Sequence, residues 1–282
     1  MPTAVATDLD ALAGLLARAR NVLVLTGAGV STDSGIPDYR GPDGTRRVTP
    51  VHYQEFVRSP EARRRYWARA FVGWQRFAAA APNEGHRVVA RLQEAGALGA
   101  LITQNVDGLH QAAGSRDVVE LHGTLETVVC AGCGASSRRT AVVERMRVLN
   151  PGFDPEAREI RPDGDVVLDE LDVARFVIPA CLRCDADLLK PDVVFFGESV
   201  PKLRVARCYE LTDAADVLLV LGSSLQVYSG YRFVRRAAER GAAVAIVTRG
   251  PSRGDPEATL RLDAPLGQVL PALADRLGVP PA

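Results

Sequence analysis

Short, unbroken apolar runs that stop at small residues dominate the hydrophobic pattern of the chain. The first is Val22, Leu23, Val24 and Leu25. It is too brief for a helix core and reads as a strand buried on both faces, the mark of a parallel sheet. Leu98 to Thr103, Val118 to Leu121, Val217 to Leu221, Ala243 to Val247 and Thr259 to Leu262 read as further strands. Between them the apolar positions move to helical spacing. Leu9, Leu12, Leu16 and Ala19 follow Asp8, a suitable N-cap, and helices are expected over Pro60 to Phe77, His86 to Glu94, Ala206 to Ala215, Phe233 to Arg240 and Gln268 to Leu277. Strand and helix in alternation predict an α/β fold with a doubly wound parallel, Rossmann-like sheet. No internal repeat is found.

The alternation fails between Thr124 and Lys190, where cysteine pairs bracket a segment with weak periodicity. Asn150 to Asp172, rich in Pro, Gly and acids, is expected to be a long surface loop. Lys190 to Glu198, KPDVVFFGE, returns to strand character. The expected organisation is a discontinuous Rossmann-like domain, 1–123 and 191–282, with a helical insertion at about 42–85 and a smaller inserted module at 124–190. In the helical insertion Tyr66, Trp67, Phe71, Trp74 and Phe77 recur at three- and four-residue spacing, which indicates core packing ahead of a cofactor box.

Composition narrows the function classes. Lys plus Arg and Asp plus Glu number 34 each, so no global field draws the chain to nucleic acid or to anionic lipid. No apolar run approaches membrane-spanning length. The N-terminus, with Asp8 and Asp10, matches neither a signal peptide nor a typical transit peptide, and a cytoplasmic protein is expected. In that reducing compartment five cysteines point to a metal or to catalysis before disulfides.

The candidate chemistry sits where the strands end. Gly27-Ala28-Gly29 leaves the first strand, and the lack of side chains allows a ligand close to the backbone amides. As a dinucleotide fingerprint it lacks the third glycine, so a phosphate turn and a tight structural turn both remain open. Ser34 to Gly41 then supplies a Pro, an acid, an aromatic and an arginine, parts for a loop that closes over a ligand. Gln104, Asn105 and Asp107 follow the second strand, and Gly222-Ser223-Ser224 follows Val217 to Leu221.

Cys130-Ala-Gly-Cys133 and Cys181-Leu-Arg-Cys184 are two C-x-x-C knuckles. Four thiolates close a tetrahedral structural Zn²⁺ site, and the duplicated knuckle favours zinc over a redox dithiol despite the long gap. Cys208 reads as a buried small hydrophobe. Of the histidines, His52 and His86 have no motif and His110 is placed to support the Asp107 loop. His122, at a strand end before Gly123, is either a general base or an ordinary strand-end histidine.

Taken in order, GAGVSTDSGIPDYRG, TQNVDGLH, HG, the two cysteine knuckles, KPDVVFFGE and GSSLQV resemble the sirtuins, over nearly the whole chain. Arg65 to Arg69, the long insert and GSSLQVYSGYRF resemble the class II branch that includes the mitochondrial sirtuin-four type, although the N-terminus looks bacterial or unprocessed. The resemblance implies an NAD-dependent deacylase that acts on acylated lysines of proteins or peptides and holds one structural Zn²⁺ on Cys130, Cys133, Cys181 and Cys184. It implies His122 and Asn105 as catalytic residues, His122 taking a proton from a ribose hydroxyl.

NAD would meet Gly27, Ala28, Gly29, Ser31, Asp38, Tyr39, Arg40, Gln104, Asn105, Val106, Asp107, Gly222, Ser223, Ser224, Thr248, Arg249, Gly250 and Leu266. The products would be free lysine, nicotinamide and O-acyl-ADP-ribose. The acyl-peptide would lie as an added strand between Val194, Phe195, Gly197 and Glu198 on one side and Leu225 to Tyr228 on the other. Tyr66 and Arg69 have a Y-x-x-R spacing that in some relatives reads an acidic acyl chain; here packing is the alternative for Tyr66. Thr248 stands where most of the family has asparagine, and Ser229 where proline is common. Protein mono-ADP-ribosyl transfer in the same pocket is the alternative activity, and a non-catalytic NAD-sensing module is a third.

Overall fold

The computed structural model describes residues 3–41, 45, 51–155, 166 and 168–280. Parts of the expected helical insertion (42–44 and 46–50) and of the expected surface loop (156–165 and 167) lie outside the described residues.

Six parallel strands form the main sheet in the order β3-β2-β1-β7-β8-β9: β1 (Val22–Thr26), β2 (Leu101–Thr103), β3 (Val118–Glu120), β7 (Val217–Leu221), β8 (Ala243–Val247) and β9 (Leu260–Leu262). The expected doubly wound sheet is therefore present. Its apolar runs are continuous because both faces are covered. Val22 and Val24 join one core with Leu9, Leu12 and Leu16 of α1 (Thr3–Arg18), Val88 and Leu92 of α4 (Glu84–Glu94) and Leu273 of α10 (Leu266–Arg276). Leu23 and Leu25 point the other way, to Cys208 of α8 (Lys202–Ala214) and to Phe233 and Ala237 of α9 (Tyr228–Glu239). Cys208 is the buried hydrophobe expected.

Two expectations on helix starts are corrected. Asp8 lies inside α1 and caps nothing, because Thr3 to Thr7 contains no residue that breaks a helix. Helix α9 begins at Tyr228, five residues before the expected Phe233, and this brings Ser229 onto its first turn.

A second sheet has three antiparallel strands, β5 (Ser136–Arg138), β4 (Gly123–Cys130) and β6 (Leu189–Val193). The KPDV part of the expected Lys190 to Glu198 strand thus pairs with β4, away from the parallel sheet. The remainder is a turn closed by Gly197 at φ +79°, with the Glu198 N–H donating to Phe195 O at 3.0 Å.

The small sheet shares one core with α2 (Tyr53–Arg58), α3 (Pro60–Ala78) and α6 (Arg139–Leu149), built on Phe56, Trp67, Val128, Met146 and Phe176. Ser59 caps α3 by accepting from Ala62 N–H, with Pro60 at its first position. Short helices α5 (Leu109–Ala112) and α7 (Glu170–Arg175) complete the described elements longer than one turn. No described helix is long and apolar enough to cross a membrane.

Candidate active site

Strand order reverses between β1 and β7, and the crevice outside their carboxyl ends is where such sheets bind ligands. Here it opens into a cavity of about 850 Å³. Two glycine turns meet at its floor. The Gly29 N–H donates to Gly222 O at 2.9 Å. A Cβ on Gly27 would lie 2.8 Å from Ser223 Cβ, and one on Gly29 would lie 2.9 Å from Gly222 O. The missing side chains therefore let the two strand ends touch and leave their backbones bare to the cavity, which is the space a diphosphate needs.

The β2 exit supplies a buried polar network. Asn105 Nδ2 donates to Gly27 O and to Ser31 Oγ, both at 3.1 Å, and Ser31 Oγ donates to Asp107 Oδ2 at 2.7 Å. Asp107 Oδ1 in turn accepts the Leu109 N–H at 3.0 Å. His86, which caps α4 through Asn83, lies 3.4 Å from Ser31 Oγ. Beneath it His110 Nε2 bonds Thr26 Oγ1 at 3.0 Å, which ties the start of α5 to the end of β1. Burial pushes the His110 imidazole down to about 3, with His86 adding to the effect.

His122 sits between β3 and β4 and faces the same cavity. Its Nδ1 lies 2.9 Å from Gln104 O and its Nε2 2.7 Å from Ser229 Oγ. A carbonyl only accepts, so the Nδ1 atom carries the proton and Nε2 presents a lone pair. Burial lowers the ring to about 4, the Gln104 carbonyl opposing and Arg204 and Arg232 reinforcing the fall. The result is a neutral imidazole at pH 7 whose basic nitrogen is on the cavity side. Gly123 makes this possible: at φ +84° it turns the chain sharply into β4 against Asp192.

Of the residues expected to hold NAD, Gly27, Ala28, Gly29, Ser31, Asp38, Tyr39, Arg40, Gln104, Asn105, Val106, Asp107, Gly222, Ser223, Ser224, Thr248, Arg249 and Leu266 line this cavity. Gly250 does not; its N–H donates to Asp263 Oδ1 at 3.0 Å. Val194, Phe195, Gly197, Glu198 and Tyr228 also line it. Lys190 Nζ and the Phe195 N–H both donate to Glu198 Oε2, at 3.1 and 2.9 Å, which fixes that turn.

Tyr66 and Arg69 are not brought to the cavity. Tyr66 is 3% exposed among Phe56, Trp67 and Phe195, and Phe195 is the member of that cluster that faces the cavity. Arg69 approaches Glu170 at 3.9 Å. Sequence reasoning missed Arg232, Ala264 and Pro265, which also line the cavity. Arg232 was within reach, since it lies one helical turn beyond Tyr228. The last two belong to another strand exit, after β9.

The four knuckle cysteines converge, with their sulfurs all within 4.8 Å of one another. Cys130 to Cys184 and Cys133 to Cys181 are each 3.7 Å apart. Tetrahedral zinc with Zn–S near 2.3 Å requires sulfurs about 3.8 Å apart, so the set fits the ion. Both knuckles turn alike: Gly134 N–H donates to Cys130 O at 2.8 Å and Asp185 N–H to Cys181 O at 2.9 Å. Backbone N–H groups of Arg183 and Cys184 lower the Cys181 thiol, which favours a thiolate at that sulfur, while the neighbouring cysteines push the Cys184 thiol up.

A switch-point crevice with paired glycine turns and a neutral buried imidazole defines a nucleotide-dependent enzyme by class. The chain belongs to the Sir2 family, whose model matches residues 27–229. It is 56% identical over 274 residues to "NAD-dependent protein deacetylase 1" of Streptomyces coelicolor, covering 97% of this chain and 91% of the relative. Similarity to human "NAD-dependent protein lipoamidase sirtuin-4, mitochondrial" is 46% over 258 residues, 90% of this chain and 82% of the relative. A solved Sir2–p53 peptide–NAD⁺ complex superposes with a TM-score of 0.75 at 30% identity, covering 96% of this chain and 98% of that one.

Proposed function

We propose that this protein is an NAD-dependent protein-lysine deacylase that releases nicotinamide, O-acyl-ADP-ribose and the free lysine. The observation that carries the reading is the His122 imidazole, neutral and with Nε2 unprotonated, in one cavity with both glycine turns. The similarity to named NAD-dependent protein deacetylases supports it.

In this reading NAD is the co-substrate. The bare backbone of Gly27 to Gly29 and Gly222 to Ser224 receives its phosphates. Asn105 and Asp107, held by Ser31, face the nicotinamide end, and Thr248, Arg249 and Leu266 the adenine end. The acyl-lysine enters between the turn at Phe195 to Glu198 and the segment before α9. His122 Nε2 accepts a proton from a ribose hydroxyl, which makes that oxygen a nucleophile toward the activated acyl carbon. Cys130, Cys133, Cys181 and Cys184 hold a zinc ion with no open position, which supplies structure and no chemistry.

The division into an NAD-binding body and a zinc module is part of this proposal, with the two separate sheets in its support. So are a cytoplasmic location, supported by five cysteines without a disulfide, and the lack of nucleic-acid or membrane partners, supported by the balanced charge.

The test is one peptide carrying acetyl, succinyl, glutaryl, lipoyl or long-chain acyl lysine, each assayed with NAD. Nicotinamide and O-acyl-ADP-ribose are expected only when both substrates are present, and neither with His122→Ala. ADP-ribose attached to protein without an acyl substrate would assign the transferase activity instead. No product with any acyl group from folded, zinc-loaded protein would overturn the proposal.

A further inference from the structure

The ring of His122 is clamped at both nitrogens by one small unit of structure. Gln104 O holds Nδ1, and Gln104 is itself fixed by its Nε2 donating to Ser223 Oγ at 2.8 Å and to Thr26 O at 3.2 Å. The first turn of α9 packs directly onto the Gln104 side chain: a Cβ on Gly230 would fall 2.7 Å from Gln104 Oε1. That contact sets the neighbouring Ser229 so that its Oγ lies 2.7 Å from His122 Nε2. Since Nε2 carries no proton, Ser229 is the donor.

We propose that Ser229 is a positioning residue for the base: its hydroxyl holds the Nε2 lone pair on the cavity side of the ring until a hydroxyl of the bound co-substrate takes its place. The inference rests on the reading of His122 as general base. One lone pair accepts one proton donor, so the substrate hydroxyl and Ser229 cannot both bond Nε2. The exchange replaces one O–H···N bond by another and leaves no buried nitrogen unpaired, which keeps its cost small. The serine side chain then moves to another of its three staggered wells. Arg204 from α8 and Arg232 from α9 are the charged groups that act on the ring, and both oppose its protonation.

Two readouts on the full-length protein test this. Only four histidines are present, so ¹⁵N-histidine labelling resolves the His122 ring. Ser229→Ala removes a hydroxyl that donates to the neutral ring and accepts from the protonated one; the second, charge-assisted bond is the stronger, so the ring should bind protons about three- to tenfold less tightly, a midpoint about half to one pH unit lower. Ser229→Thr, which keeps the hydroxyl, should restore the original midpoint. In turnover the acid limb of kcat/KM, which reports the free enzyme, should move with the midpoint, and its plateau should fall severalfold. The acid limb of kcat, which reports the bound complex after the exchange, should stay in place.

An unmoved ring midpoint in folded Ser229→Ala overturns the proposal. So does a tenfold or greater fall in kcat with both limbs unmoved, which would make the hydroxyl a proton relay. The ring titration needs no turnover, so failure of the deacylase reading leaves this measurement standing.

Discussion

Replacing Gly123 by alanine strains the structure at the point where His122 joins the small sheet. At φ +84° an L-residue costs about 1–2 kcal/mol relative to glycine. The added methyl group would lie 2.9 Å from the Asp192 carbonyl carbon and 3.3 Å from Val193 Cα, and closer still to the Asp192 oxygen. These are backbone atoms of a paired strand, so no side chain can swing aside. Strands β4 and β6 must part where Gly123 faces Val193 and Thr124 faces Asp192. Parting also breaks the 2.8 Å bond from Val194 N–H to His122 O, and each buried backbone group left unpaired costs about 1–3 kcal/mol. With both groups of that bond counted, the sum is roughly 3–8 kcal/mol, a large share of the ~5–15 kcal/mol that holds a typical protein folded. At about 2–4 °C per kcal/mol for a chain of this size, the melting temperature should fall by about 10 °C or more.

The same displacement carries His122 with it. A shift of about 1 Å in a catalytic group costs on the order of a hundredfold in rate. Calorimetry gives the first effect, and nicotinamide release measured well below both transitions gives the second. A variant that melts within about 2 °C of the parent and keeps half its kcat/KM would show that the turn at Gly123 does not set the base, and the geometry argued above would be wrong.

Gly29→Ala would place a Cβ 2.9 Å from Gly222 O and 3.0 Å from Gly222 Cα, forcing the two strand ends apart. NAD affinity should drop by at least about tenfold, and calorimetric titration giving an unchanged affinity would refute the close-approach argument. Cys133→Ser should abolish the expected one zinc per chain and lower the melting temperature by roughly 10 °C. Metal analysis that still finds full zinc would contradict the four-sulfur site. The imidazoles of His86, His110 and His122 are all lowered by burial, the last two to about 3 and about 4. The unfolded chain then binds protons the folded chain refuses, so these groups weaken stability as pH falls below about 6.5, by up to ~1.4 kcal/mol per pH unit each. His110→Asn should flatten that slope, and equal slopes in parent and variant from chemical denaturation would exclude the buried histidine as its source.

The parallel strands were legible because burial on both faces leaves a continuous apolar signature, as in Val22 to Leu25. Of the small sheet only β6 was, within the expected Lys190 to Glu198 strand. Strand β4 alternates exposure, carries Thr124, Glu126 and Thr127, and shifts register between Thr124 and Val128. Strand β5 is Ser-Ser-Arg and has no apolar period at all. The residues at strand exits that line the cavity were legible because topology places ligands there, whereas Arg232 and Ser229 depended on where α9 begins. The Tyr66–Arg69 spacing puts both on one helix face, but no local signal says what packs on that face. It is Phe56 and Phe195 that meet Tyr66 there.

Most of all, the joining of α3 to the segment after the second cysteine knuckle is a long-range fact. Trp67 Nε1 donates to Leu189 O at 2.8 Å, and Arg63 pairs with Asp187 at 2.7 Å. Both partners lie just beyond the second cysteine knuckle. Strand β4 runs from Gly123, next to His122, to Cys130 in the cysteine cluster, eight residues or about 25 Å. Strand β6 returns from Leu189, close after Cys184, to Val193 opposite Gly123. Four sulfurs therefore tie the far ends of two strands whose near ends press Asp192 against Gly123 and bond Val194 to His122. The cysteine cluster and the His122 backbone are thus joined through the register of one strand pair, β4 with β6.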